Sequence, residues 1–355
     1  MVVDKHCQNP QMIELYSDYD TEMDINTLGE KVWGPILYKY KNARNIFFSA
    51  DFFFHAFPIE YLIVDGYGLM FEKFNLYRLS STKEILQKKG KNEKGQAVIY
   101  GGLDYNQMAD FALEEKTGTL PGMLRSISER GGFEPLYNTL DEVNNIRDLL
   151  SSQNIATTLY AGNEGTEESF RKLSGMNVHI LHLATHGMYI EPENVSLEKH
   201  RQNFDFLESL NNENNPVKED VTLTHSFLVL SGGNKLIQHN KVLGDDDGIL
   251  TAKEISETDL KGIDLVVLSA CESALGDTNS NGVCGLQRGF KKAGVNTILM
   301  SATKVDDEAT RILMVEFYKN LMSGNSKLQS LRNAQRYLRG YDNNNNCMGY
   351  RLYRK

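Results

Sequence analysis

From residue 96 onward the chain alternates short runs that are apolar on both faces with segments of helical period, and no other feature limits its fold as strongly. The runs are Ala97–Gly102, Ala156–Tyr160, Val178–Thr185, Phe227–Leu230, Asp264–Ala270 and Asn296–Ser301. A strand with one wetted face alternates apolar and polar residues, so runs without that alternation belong to a sheet covered on both sides. The segments between them supply the cover. Leu140, Val143, Ile146 and Leu150 fall at helical spacing, and Thr166 before Glu167-Glu168 reads as an N-cap with an acidic first turn. The pattern predicts an α/β fold whose central sheet is mostly parallel, with helices on both faces.

Two helices close this part. One carries Ala309, Leu313, Phe317 and Leu321 and stops at Gly324; the next carries Leu328, Leu331, Gln335 and Leu338 and stops at Gly340. A short last strand follows the run Asn343–Asn346. Upstream, Ile46–Pro58 reads as an aromatic hairpin and Asn75–Ser80 as another strand, before the solvated loop Lys88–Gly95. The expected organisation is a helical lead-in over 1–35, a small N-terminal subdomain over 36–95 and a main subdomain over 96–355. A charged, Asn-rich insertion over 188–221 interrupts the last of these, and a segment of that length inside a compact domain is a candidate for function.

Composition narrows the function classes. Of 355 residues, 41% are hydrophobic and 24% charged, enough for a large core, and the net charge is −9. An acidic chain is not built for general affinity toward nucleic acid or anionic membrane. No apolar stretch reaches the roughly 18 residues of a membrane span, and the first residues have no basic region leading into an apolar run. The four cysteines, Cys7, Cys271, Cys284 and Cys347, are too scattered for a disulfide framework and lack paired zinc spacing. A cytoplasmic protein with no metal and no cofactor is the expectation.

Two strand ends carry chemistry. Leu181-His-Leu-Ala-Thr-His-Gly ends in His186-Gly187, and Leu265-Val-Val-Leu-Ser-Ala-Cys ends in Cys271. Catalytic groups of parallel sheets gather outside the carboxyl ends of the strands, so neighbouring strands would set His186 beside Cys271. A neutral thiol needs an adjacent base to become a nucleophile, and imidazole supplies one. Taken singly, a cysteine is also a small core hydrophobe, and a glycine also a turn residue. Chain order discriminates further. His186 precedes Cys271 by 85 residues, the reverse of papain-like proteases and class I glutaminases, and the helices exclude the all-β viral enzymes. Caspase-like enzymes have this order on an α/β sheet. Gly244-Asp-Asp-Asp-Gly lacks calcium-loop spacing and reads as a surface turn.

With these motifs in view the chain resembles the CHAT domain family, caspase-like peptidases related to separase and often joined to helical repeats. The matching segments are His182-Leu-Ala-Thr-His-Gly, Gly248-Ile-Leu-Thr-Ala-Lys-Glu-Ile, Leu268-Ser-Ala-Cys-Glu-Ser-Ala-Leu-Gly and Val305-Asp-Asp-Glu-Ala-Thr. Phe57-Pro-Ile-Glu-Tyr-Leu and Tyr77-Arg-Leu-Ser-Ser-Thr fit the N-terminal subdomain, while Ala302-Thr303 stands where many members carry Leu-Trp. The resemblance implies a caspase-hemoglobinase fold with an N-terminal pseudo-caspase subdomain. It implies a cysteine endopeptidase with His186 as base and Cys271 as nucleophile, and an oxyanion site made by the amides of Gly187 and Cys271. The substrate is a protein, and a separate helical-repeat module is the expected regulatory partner. It also points to Asp306 or Asp307 as receiving a basic side chain before the cut, although Asp-Asp-Glu opening a helix is equally what N-capping favours. The reading from a different class is a catalytically silent scaffold or sensor that keeps the fold.

Overall fold

The computed structural model describes residues 25–49, 58–79, 95–106, 131–189, 221–235, 246–270, 280–301, 306–341 and 350–354. The N-terminal part contains α1 (Ile25–Lys39), β1 (Asn45–Phe48), the antiparallel pair β2 (Ile63–Val64) and β3 (Gly68–Leu69), α2 (Met70–Lys73) and β4 (Asn75–Leu79). Then come β5 (Gln96–Leu103), α3 (Tyr137–Ser152), β6 (Thr157–Gly162), α4 (Glu167–Arg171), β7 (Val178–Ala184) and β8 (Gly187–Tyr189). The remainder is α5 (Val221–His225), β9 (Ser226–Val229), β10 (Ile249–Thr251), α6 (Ala252–Glu257), β11 (Leu265–Ser269), α7 (Ser280–Lys292), β12 (Thr297–Ser301), α8 (Asp307–Met322), α9 (Lys327–Tyr341) and β13 (Tyr350–Arg354).

One eight-stranded sheet organises the chain, in the order β1-β4-β13-β12-β11-β7-β5-β6. The five strands from β12 to β6 are parallel. Strand β13 runs antiparallel to β12 and parallel to β4, and so joins the N-terminal strands to the main sheet. The doubly apolar runs have the predicted cause. Along β11, Leu265 and Val267 face the core under α3, α8 and α9, with Val143, Ile146, Leu313 and Phe317. Val266 and Leu268 face the opposite core, with Ile255, Phe290 and Leu228. Each such side chain, fully buried, contributes about 1.5–3 kcal/mol.

Several expectations change. Phe227–Leu230 is not a strand of the parallel sheet: β9 is the centre of a separate antiparallel sheet, β10-β9-β8. It is apolar throughout because every residue of β9 is buried, and periodicity cannot tell that setting from a parallel one. Met188 and Tyr189 are buried in β8, so the insertion does not begin at 188; residues 190–220 lie outside the described ones. Strand β1 pairs in parallel with β4, and the second arm of the expected hairpin lies outside the described residues, as does the loop Lys88–Lys94. Leu140 is 42% exposed, leaving Val143, Ile146 and Leu150 as the apolar buried face of α3. Helix α9 continues through Gly340 to Tyr341, whereas α8 does end before Gly324 at φ 88°. Gly289 is where α7 meets α6: a Cβ there would stand 2.6 Å from the Ala252 carbonyl.

The boundary placed at 35 falls inside α1, which belongs to a third core containing Leu28, Trp33, Leu37, Leu62 and Phe74. Trp33 Nε1 donates to the Ile59 carbonyl at 2.8 Å. This part is tied to the rest by Arg332, whose guanidinium donates to Asn75 Oδ1 at 2.6 Å and to the Glu72 carbonyl at 2.8 Å. Among the described residues no helix is long and apolar enough to cross a membrane.

Candidate active site

Strands β7 and β11 are parallel neighbours, in register from Ile180↔Leu265 to Ala184↔Ser269. In the sequence, His186 follows that last pair by two residues after β7 and Cys271 by two residues after β11, and β7 and β11 end at the same edge of the sheet. Cys271 itself lies outside the described residues. Its preceding residue does not: a Cβ on Gly187 would stand 3.1 Å from Ala270 Cβ. The residue after His186 therefore touches the residue before Cys271, an approach that leaves little room for a side chain at 187.

After Ala184 the chain leaves the main sheet and enters the antiparallel one. The Thr185 hydroxyl donates to the Val229 carbonyl, and the Val229 N–H donates to the His186 carbonyl at 2.9 Å. Gly187 pairs with Leu228, one residue on. In an antiparallel ladder hydrogen-bonded and non-hydrogen-bonded pairs alternate. The bond at His186 thus turns the Gly187 N–H away from β9, where an incoming oxygen can use it.

The imidazole of His186 is enclosed: the residue is 6% exposed. Tyr105 and Phe133 flank it with ring centroids at 5.0 and 5.8 Å. Nε2 is 2.7 Å from the Glu134 carbonyl. A carbonyl only accepts, so the neutral ring carries its proton on Nε2 and keeps its lone pair on Nδ1. Burial pulls the imidazole below its ordinary pKa, opposed by the bond to Glu134 and the carboxylates of Asp307 and Glu134. At neutral pH the ring is an uncharged base. Beneath it, the Tyr105 hydroxyl accepts from the His186 backbone N–H and lies 3.0 Å from Thr185 Oγ1. Burial pushes that hydroxyl's pKa up, so it stays protonated.

The two aspartates separate in role. Asp306 is the N-cap of α8, accepting from the Ala309 N–H at 2.9 Å. Asp307 Oδ2 accepts from the Asn138 N–H at 3.3 Å, and its charge reaches His186. Ala302 and Thr303 lie outside the described residues. Tyr105, Phe133, the Glu134 carbonyl and Asn234 are parts of this site that sequence reasoning did not find. The only visible signal was a pair of glycine doublets, Gly131-Gly132 and Gly232-Gly233, whose first three members have positive φ of 96°, 102° and 86°. Among the described residues no three His, Cys, Asp or Glu side chains are placed to hold a metal ion.

Comparison with known proteins agrees with this architecture. The family model of the CHAT domain matches residues 23–348. Among solved structures, the Arg-specific cysteine proteinase gingipain R matches with a TM-score of 0.50 at 10% identity, over 92% of this chain and 67% of that one. A search of curated proteins finds no match. The fold is thus of the caspase-like class, with a parallel sheet and helices on both faces. The chain belongs to the CHAT domain family.

Proposed function

We propose that this chain is a cysteine endopeptidase working through a His186–Cys271 dyad. The observation that carries the reading is the juxtaposition at one sheet edge: Gly187 against Ala270, with His186 held neutral, proton on Nε2 and lone pair on Nδ1. Nδ1 takes the proton from Cys271 Sγ, and the thiolate attacks the carbonyl of the scissile peptide bond. The N–H groups of Gly187 and Cys271 hold the oxyanion. The imidazolium returns its proton to the leaving amine, and water, activated by the same ring, hydrolyses the acyl-enzyme. Asp306 is committed to capping α8, so Asp307 is the carboxylate available to a basic side chain before the cut.

The test is a library of fluorogenic peptide amides varied at the residue before the scissile bond, together with a peptide probe bearing a thiol-reactive group. Wild type should label and turn over, with preference for Arg or Lys. Cys271→Ala should do neither, and Asp307→Asn should lose the preference. Labelling that persists in Cys271→Ala would rule out the dyad. Wild type that never labels, even with a helical-repeat partner present, would leave the scaffold reading in its place.

A further inference from the structure

Granting that reading of His186, one buried side chain outside the dyad stands out. Asn234 follows β9, is 2% exposed, and gives two of its three side-chain hydrogen bonds to Phe133, which flanks the imidazole. Its Oδ1 accepts from the Phe133 N–H at 2.7 Å, and its Nδ2 donates to the Phe133 carbonyl at 3.2 Å and to Asn106 Oδ1 at 2.7 Å. Phe133 thus has both backbone groups clasped, much as a neighbouring strand would clasp them. The orientation of the amide follows from these partners, because only its oxygen can meet an N–H and only its nitrogen a carbonyl. The Asn234 N–H in turn donates to the Tyr105 carbonyl at 2.9 Å. Gly132 lies flat on the amide: a Cβ there would stand 2.6 Å from Asn234 Oδ1, and its φ of 102° already excludes most side chains.

The next residue after Phe133 is Glu134, whose carbonyl meets His186 Nε2. Nothing on the Glu134 side chain fixes that carbonyl, since the residue is exposed. We propose that Asn234 is a positioning residue for the base: by clasping Phe133 it aims the Glu134 carbonyl at Nε2, and so fixes both the tautomer and the plane of the His186 ring. Its backbone N–H also meets the Tyr105 carbonyl, so one residue touches both groups that flank the imidazole, the side chain acting on Phe133 alone of the two.

The proposal is tested on the full chain by two measurements. The first is nitrogen NMR of histidine-labelled protein in the Cys271→Ala background, where no turnover is needed; the signal lost in His186→Gln identifies the ring. With Asn234 present it should report one tautomer, protonated on Nε2. With Asn234→Ala it should report mixed tautomers. The second is peptide hydrolysis, where Asn234→Ala should lower kcat by ~10–100-fold, the cost of a reacting group misplaced by about an ångström, and leave KM within about twofold. Asn234→Asp keeps the acceptor for Phe133 N–H but sets a carboxylate against the Phe133 carbonyl, and should behave like Asn234→Ala. Asn106→Ala, which removes one exposed partner, should lie between them and wild type, and it serves if the Asn234 variants do not fold. A folded Asn234 variant that keeps the single Nε2–H tautomer overturns the proposal, whatever its kcat. Should neither Asn234 variant fold, a pure Nε2–H tautomer with unchanged kcat in Asn106→Ala would do the same. Unimpaired hydrolysis by His186→Gln would instead overturn the dyad reading itself.

Discussion

Two histidines four residues apart on one chain, His182 and His186, are both buried but stand in different surroundings. His182, in the middle of β7, is 0% exposed, with a polar group within 3.3 Å of each ring nitrogen. Its Nε2 lies 2.9 Å from Glu142 Oε1 on α3, off the line of a straight hydrogen bond, and its Nδ1 is 3.3 Å from the Tyr318 hydroxyl on α8. His186, past the strand end, has one nitrogen spoken for by a backbone carbonyl, and no hydrogen bond to the other is found among the described residues. Burial alone therefore does not mark a functional histidine. What separates the two is what stands at the second ring nitrogen: inside the sheet a helix sets the Glu142 carboxyl 2.9 Å from His182 Nε2, while past the strand end no hydrogen-bond partner among the described residues meets His186 Nδ1.

Exchanging the two residues' fates is the most direct way to break this contrast. His186→Gln retains a donor for the Glu134 carbonyl but has no base, and should lower kcat/KM by at least ~10³-fold with the fold intact, read as peptide hydrolysis beside circular dichroism. His182→Ala should do the reverse. It leaves the Glu142 carboxylate, 0% exposed, without its partner, and removing one member of a buried pair costs about 3–5 kcal/mol. The expected result is a lower urea midpoint with near-normal activity per folded molecule. A His182→Ala protein as stable as wild type would show that the Glu142 contact holds nothing in place.

The sequence made some of this legible and left the rest dark for identifiable reasons. The strands β5, β6, β7, β11 and β12 were readable because each face of each strand meets a core, a property written locally. His186 and Cys271 stood out as candidates because each follows the end of such a strand in the sequence. Asp306 was readable as a cap because capping needs only the three residues that follow it. By contrast, the His186 ring meets a carbonyl 52 residues upstream, and a carbonyl has no signature in a sequence. Asn234 acts on Phe133 across 101 residues, so no local pattern marks it. The placement of β9 was misread because two different surroundings bury a strand equally well. The joining of the N-terminal strands through β13 depends on pairing over more than 270 residues, which periodicity does not encode.

A third buried titratable group sharpens the comparison from the side of stability. Glu167 on α4 is 1% exposed and accepts from the Gly248 N–H at 2.7 Å. Burial, and then the charges of Asp247 and Glu254, push its pKa up to about 9 from 4.5. The folded chain therefore keeps a proton between these values that the unfolded chain has released. The contribution to stability is full below about pH 4.5 and declines as pH rises toward about 9. Glu167→Gln preserves the acceptor for Gly248 and removes that decline, while Arg171 keeps Asp246 at 2.5 Å. The variant should be more stable than wild type at pH 8 by about 1 kcal/mol or more, and indistinguishable at pH 4. A destabilised variant at pH 8 would mean that Glu167 is held ionised by Arg171, 3.6 Å away.

The smallest effect concerns how far the charge at Asp307 reaches. Its carboxylate is among the groups that hold the His186 pKa up against the larger pull of burial. Removing the charge while keeping the acceptor for the Asn138 N–H, as Asp307→Asn does, takes away part of the support for the imidazolium. The His186 pKa then falls further. Because the neutral ring is the base, the acid limb of kcat/KM should move to lower pH, by a few tenths of a unit for a partly exposed carboxylate screened by water. The shift should shrink as salt is added, and it should appear with a peptide carrying a neutral residue before the cut, which removes any direct ion pair with substrate from the reading. The same coupling can be read in stability: by linkage, Asp307→Asn should cost a few tenths of a kcal/mol more on the acid side of that limb, where the ring is charged, than on the alkaline side. An acid limb that moves to higher pH would mean that Asp307 does not support the charged form of His186, and that its role in the cleft is confined to binding.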